Sequence, residues 1–528
     1  MKFKSLLFLS IAGLLFSACQ KPFSELEKDP NRPVNVPAAL VLSQVEFDMY
    51  NNTGKPFSDA MRWNQFYCSN YNYYATNEYT WTEMPNHFFI LKNVVKMEEE
   101  ALRAGANEVN PYAALGKFFR AFFYDQMSKR AGDLPLTEAL EGQDNFEPNY
   151  NSQKEIYVQI LNWLDESNAD LASLIAQGEN SITGDFYFDG DLKQWQKVVN
   201  ALQLRILTTL SSKENDSDLN IKGRFAKILQ NANQYPLLND MNDNLEFMSN
   251  IYNKYPSNPD NFGFDATRQN MAAAYVEPLK NLKDPRLFIT CEPAGSEMKA
   301  GKLPSDFSAY HGASSGEDLA DMTFKAGVSN GTAFAPGEYS FQNRFRYYTN
   351  YEGEAVFIVA YPEMCFNIAE GIHRGWFDGS AAEWYAKGIE ASMSFYGLNS
   401  GANTFTYSQT GGKDASDFVT FNYDFDFQEY LNQSDVKYTA DEKGLEKIIT
   451  QKYLAFFMNS GMEAYFNWRR TGYPAFYTGV GTGNSGRIAI RWQYPYSERT
   501  TNTANYETAI DRQFNGDDNI NDEIWLLK

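Results

Sequence analysis

The chain has 528 residues, with 67 acidic and 46 basic side chains and a formal net charge of −21. That balance excludes nucleic acid and anionic head groups as partners, since both demand clustered Lys and Arg. Four cysteines in this length exclude a disulfide-stapled scaffold, and no pair among them has metal-ligand spacing.

Lys2 and Lys4 precede a mostly apolar run over residues 6–16, followed by Ser17-Ala18-Cys19. Residues 1–18 read as a lipoprotein signal peptide, too short to span a membrane as a mature helix. Small residues directly before a cysteine suit a lipoprotein signal peptidase, so Cys19 is the expected lipidation site. Acyl chains contribute about 0.8 kcal/mol per buried methylene, which makes a multiply acylated Cys19 a stable anchor. Residues 19–37, charged and rich in proline, lack a helical period and read as an extended tether.

Helical periodicity begins after Pro37, with Ala39, Leu40, Leu42, Val45 and Phe47 as apolar positions. It recurs at about 57–70, 82–104 and 110–130, the last with a wide face of Leu115, Phe118, Phe119, Phe122, Phe123 and Met127. Further helices are expected at about 153–175, 192–212, 219–232, 270–282, 360–375, 380–396 and 443–470. Paired helices at this spacing predict a mainly α chain with tetratricopeptide-like stacking. Residues 291–350 break the pattern: they are dense in Gly, Ser and aromatics and read as a loop-rich insertion. The scaffold is expected over about 38–290 and 351–478, with a tail over 479–528.

Residues 444–474 read as a helical hairpin. Thr439 and Glu442 have capping-box spacing, Leu445, Ile448, Ile449, Tyr453, Phe456 and Phe457 form one apolar face, and Gly461 interrupts it. Ala464, Tyr465 and Trp468 are expected inward in the second helix, which Gly472 and Pro474 end. Glu463, Arg469 and Arg470 sit in a segment too apolar to be mostly surface, and read as a buried structural ion-pair network.

Two stretches carry the chemistry of a binding face. Residues 61–81 hold eight aromatics interleaved with amides, and the insertion adds more. A sugar presents apolar C–H faces ringed by hydroxyls, so it calls for flat aromatic platforms beside directional hydrogen-bonding side chains. Candidate ligand-binding residues are Trp63, Tyr67, Tyr71, Tyr73, Tyr74 and Trp81 as platforms, with Asn70, Asn72 and Asn77 as polar partners. Tyr310, His311, Tyr339 and Phe341 join them from the insertion. No catalytic or metal residues are nominated. His87, His311 and His373 form no metal motif, no nucleophile elbow or phosphate loop is present, and the Asp clusters at 185–191 and 517–522 match no EF-hand.

Five stretches, in order, resemble the SusD/RagB family of nutrient-binding outer-membrane lipoproteins. They are residues 28–33 (KDPNRP), 132–139 (GDLPLTEA), 195–205 (WQKVVNALQLR), 361–375 (YPEMCFNIAEGIHRG) and 451–474 (QKYLAFFMNSGMEAYFNWRRTGYP). Tyr453 departs from the family's usual Trp, and Gly371 from a common Ala. The resemblance implies one SusD-like domain over 38–528 with TPR-like helical pairs, anchored in the outer membrane and exposed at the cell surface. It also implies non-catalytic capture of a nutrient, here an oligosaccharide, without a cofactor, and delivery to a SusC-like TonB-dependent transporter. A peptide-uptake receptor or adhesin of the same fold, or a secreted glycoside hydrolase, are the alternative expectations.

Overall fold

The structure is a computed structural model that describes residues 35–73, 75–329, 332–333 and 335–528. The signal segment, Cys19 and the tether up to residue 34 lie outside the described residues.

The chain is mainly helical, and its long helices pack in pairs. α1 (Ala38–Asn52) lies against α2 (Phe88–Arg103), and α3 (Pro111–Ala131) against α4 (Gln153–Ala176). α5 (Leu192–Thr209) extends the stack from α4, and α6 (Ile221–Gln230) turns back onto it. After α7 (Ala273–Asn281) and the insertion, α8 (Tyr361–His373) packs on α5, and α9 (Ala381–Phe395) packs on α8. α10 (Glu442–Ala455) lies on α8 and α9, α11 (Glu463–Thr471) closes against α10 and α5, and α12 (Thr503–Phe514) sits in the tail.

Local chemistry sets the helix ends. Asn110 caps α3 by accepting from Ala113 N, with Pro111 at a first-turn position where the missing N–H is no loss. Ser152 and Glu155 form a reciprocal capping box on α4. At α10 the cap is Asp441, which accepts from Lys443 N, and Thr439 acts one step removed by donating to Asp441 at 2.6 Å. The helix expected at 57–70 is only Asp59–Trp63. Gln65 takes a left-handed φ of 55° and turns the chain into β1 (Tyr67–Ser69), because its side chain is held at both ends by the Tyr477 backbone.

Gly461 separates α10 from α11 at φ 58°, and a Cβ there would lie 1.7 Å from the Thr53 carbonyl oxygen. Only glycine permits that approach. Gly371 in α8 is similarly close to the Phe225 ring, which explains the departure from alanine. Trp468 is half-buried, stacked on Phe476 at 4.8 Å, where the sequence pattern expected it inward.

Strands occur in two-stranded ladders among the described residues. β2 (Leu245–Phe247) pairs with β4 (Val356–Val359), and β1 pairs with β3 (Gln269–Met271). The longest ladder is the hairpin of β5 (Gly401–Ser408) and β6 (Phe418–Phe425), with Phe405 opposite Phe421.

The helical core contains a charged network. Lys129 of α3 has no exposed side-chain surface and lies 2.8 Å from Asp125 and 2.6 Å from Glu463 of α11. Burial alone raises a carboxyl pKa, but Lys129 and Arg205 reverse this and hold Glu463 well below its usual range. Arg205 of α5 binds Glu363 of α8 and the Ile358 carbonyl, the latter at 2.6 Å. Arg470 reaches Glu370 at 2.9 Å, while Arg469 donates to the carbonyls of Ile490 and Lys129. Glu463, Arg469 and Arg470 are thus all in the network, but the ion partner of Glu463 is Lys129.

Lys129→Ala strands the carboxylates of Asp125 and Glu463 in the core, and is expected to cost about 3–5 kcal/mol in chemical denaturation. A second buried carboxyl acts in the opposite sense. Burial, and then the neighbouring Asp185, raise Glu46 to about 10 from an ordinary 4.5. Its contribution to stability is fully present below pH 4.5 and declines as pH rises toward 10. Glu46→Gln should therefore stabilise the protein at pH 7 by roughly 2 kcal/mol and flatten the fall in melting temperature between pH 5 and pH 9.

Candidate functional site

The two aromatic stretches meet across β3. On one edge β3 pairs with β1, placing Tyr67 opposite Met271 and Ser69 opposite Gln269. On the other side the insertion supplies bridges from Phe341 to Asn270 and from Ala313 to Ala272. Met271 N donates to Ser340 O, and Ala313 N to Met271 O, both at 2.8 Å. Cys68 and Ala313, 245 positions apart, thereby share a small apolar cluster with Ala272 and Met322, and Tyr339 packs on it. The short helix Leu319–Lys325 is fastened to the first stretch by Thr323, whose hydroxyl donates to Asn70 O at 2.7 Å.

Several nominated residues of the two stretches keep exposed or half-buried surface. Tyr73 is 70% exposed, Tyr71 is half-buried, and their rings stack at 6.1 Å and 14°. Asn72 between them is exposed, and the Arg268 guanidinium lies 5.2 Å over the Tyr71 ring. Tyr339 and Phe341 are half-buried. The Tyr339 hydroxyl donates to Glu317 at 2.6 Å, and the Phe341 ring faces Arg344 at 5.0 Å. His311 is half-buried and bonds Glu297 through Nε2 at 3.0 Å. Tyr74 lies outside the described residues.

The other nominees are drawn inward. Tyr67 and Tyr310 are fully buried, and their hydroxyls donate to the carbonyls of Ser58 and Pro304. Trp81 stacks on Trp492 at 3.6 Å and meets the edge of Tyr465 at 5.0 Å. Trp63 is half-buried, edge-on to Trp81 at 5.2 Å, with its indole N–H on the Glu78 carbonyl. Asn77 accepts from Ser69 N and donates to Ser69 O, clamping the base of the loop that presents Tyr71 and Tyr73. Asn70 is buried, with Nδ2 on Thr267 O and Asn270 Oδ1. These side chains build the junction, and their open faces are already taken.

Sequence reasoning missed Phe324, which is 74% exposed while Met322 two positions earlier is fully buried. An aromatic on the polar face of an amphipathic helix was the available signal.

Lys302, and then His311, hold the Glu297 carboxyl below its usual range, where a proton donor for glycoside cleavage needs a raised one. Burial pushes the Cys68 and Cys291 thiols up to about 12, which leaves them protonated and inert. Among the described residues no cluster of His, Cys, Asp and Glu is arranged to hold a metal ion. Among them, too, no helix is long and apolar enough to cross a membrane.

Comparison with known proteins gives a consistent picture. A SusD-like family model, described as starch-binding associating with outer membrane, matches residues 30–495. No curated protein sequence matches. A SusD homolog from Bacteroides fragilis NCTC 9343 superposes with a TM-score of 0.79 at 27% identity, covering 93% of this chain and 100% of its own. A second B. fragilis SusD homolog gives 0.75 at 29% identity, over 94% and 100% of the two chains. A chitin-binding SusD homolog from Flavobacterium johnsoniae shares the fold, with a TM-score of 0.67 at 20% identity over 92% and 98%.

Core and face predict opposite responses to truncation. Trp81→Ala should lower stability by about 3–5 kcal/mol. Tyr73→Ala should stay within roughly 0.5 kcal/mol of the parent in the same denaturation assay.

Proposed function

We propose, since this chain belongs to the SusD-like family, that it is a non-catalytic binding lipoprotein that captures an oligosaccharide at the cell surface. The observation that carries this reading is the stacked Tyr71–Tyr73 pair, half-buried at Tyr71 and exposed at Tyr73, with the exposed Asn72 between them in sequence. Two parallel rings offer adjacent apolar platforms to consecutive sugar units, and the intervening amide offers a donor and an acceptor to their hydroxyls. Phe324, Tyr339 and Phe341 offer further aromatic surface from the insertion, and the hydrogen-bonded β3 junction ties the two stretches together before ligand arrives. Preorganisation of this kind lowers the ordering cost of binding. The chitin-binding relative supports a sugar over a peptide as the cargo.

Delivery completes the proposal. Acylation at Cys19 and the tether 19–37 hold the body over the outer membrane, where a SusC-like TonB-dependent transporter takes the cargo. A tethered receptor meets its transporter at high effective concentration, so capture can be weak. The ligand region 291–350 and the scaffold on either side act as parts of one domain over 38–528.

Calorimetric titration of the soluble chain beginning after Cys19, against plant, host and microbial oligosaccharides and a peptide pool, tests this. Saturable sugar binding at micromolar to millimolar Kd is expected, roughly −8 to −4 kcal/mol, without new reducing ends. Tyr71→Ala/Tyr73→Ala should weaken it roughly tenfold or more. Product formation would replace the reading with an enzyme, and binding of peptide alone would replace the cargo.

A further inference from the structure

A cavity of about 500 Å³ lies beside α1, between Phe47, the turn at 186–188 and the segment 242–253 that contains β2. Its volume falls within the roughly 300–1,000 Å³ of small-molecule sites. Aromatic rings dominate the lining. Phe186 is 43% exposed and Phe47 half-buried, and their rings stand 6.4 Å from that of Phe247, turned 86° and 59° from it. Rings set at such angles wall a corner and do not stack it shut. Met248, more than half exposed, stands at its edge.

Among the described residues of this lining, Glu246 alone is charged. It is half-buried, its Oε2 accepts from Asn244 Nδ2 at 3.0 Å, and it forms no ion pair among the described residues. Its other oxygen, Oε1, takes no hydrogen bond and keeps contact with solvent. Burial holds the carboxyl above its usual range, opposed only by the Asn244 bond, so no cation of the protein offsets it. The basic side chains of adjoining segments are engaged elsewhere. Lys254, which follows Asn253, pairs with Asp260 at 2.5 Å, and Lys197 with Asp243 at 2.8 Å. Lys55 lies 4.9 Å over the Tyr50 ring, and Tyr50 is outside the lining. A half-buried carboxylate without a counter-charge costs free energy, which a cation arriving from outside recovers.

We propose that this cavity binds an organic ammonium ion. Its positive group rests against the Phe186 and Phe47 rings, whose faces attract cations, and the Glu246 carboxylate is its counter-ion. A neutral sugar would leave that carboxylate uncompensated, and an anion would be repelled by it and by the net charge of −21. The site is independent of the oligosaccharide reading, because none of the residues nominated for sugar lines this cavity.

The test is calorimetric titration of the full-length chain, in a detergent without an ammonium headgroup, with choline and with its neutral tert-butyl isostere, in which carbon replaces the ammonium nitrogen. Choline should bind, and the isostere roughly tenfold or more weakly. Glu246→Gln, which keeps the size and removes the charge, should weaken choline roughly tenfold and leave the isostere unchanged. Phe186→Ala, at an exposed position, should weaken choline too, whereas Tyr71→Ala/Tyr73→Ala should not. Equal affinity of the parent for choline and the isostere would overturn the ammonium site, and this comparison decides the matter even if Glu246→Gln fails to fold. Choline binding unaltered in Glu246→Gln, lost in the Tyr71/Tyr73 variant or absent from the parent would overturn it as well. Oligosaccharide binding by the parent is untouched by each of these outcomes, so the two readings fail separately.

Discussion

The architecture depends on a constraint that charges taken out of water must find partners inside. Lys129, with no exposed side-chain surface, pairs with Asp125 of its own helix, and its second carboxylate, Glu463, arrives only when α3 and α11 come together. Arg205 and Glu363 impose the same condition on α5 and α8, and Arg470 and Glu370 on α11 and α8. Lys452 of α10 joins by donating to Asn367 and Asn467. Apolar surfaces slide over one another at little cost, whereas such pairs fix register and partner. A misaligned helix would leave an isolated charge in a low-dielectric core.

Around this scaffold the aromatic residues divide by what reaches them from far along the chain. Trp81 is core because Trp492 and Tyr465 pack on it, and Tyr67 because β3 pairs beside it. Tyr71 and Tyr73 remain outside because Asn77 ties the loop at its base by both hydrogen bonds to Ser69. The amides that look like sugar partners in a linear reading largely hold backbone. Asn64, for example, donates to Gly461 O and accepts from Tyr465 N, so it fastens the start of the chain to the C-terminal hairpin.

Much of the scaffold was legible because its signals are local. The apolar face of α3 and the break at Gly461 are written within a few positions of where they act, whereas the capping box expected of Thr439 and Glu442 gave way to a cap by Asp441. The stop after Asp59–Trp63 was not legible, since Gln65 adopts its left-handed conformation to meet Tyr477. The candidate face was half legible. Composition located both stretches, but nothing in it said which of their aromatics would face outward. Nothing local separates Tyr73 from Trp81, and Phe324 was hidden in a region read as loop.

The closure of the N-terminal part of the chain by its C-terminal segments has a consequence for biogenesis. Asn64 waits for Gly461, Lys129 for Glu463, and Asp133 for Gln513 and Arg512, which bond its backbone N–H and its carboxylate. A ribosome that has released the first half of this sequence has made helices whose internal charges lack part of their complement. Such a nascent chain lacks these long-range partners until its last hundred residues emerge. Delayed folding of this kind keeps a polypeptide threadable, which is the condition under which a translocation pore can carry it out of the compartment where it was made.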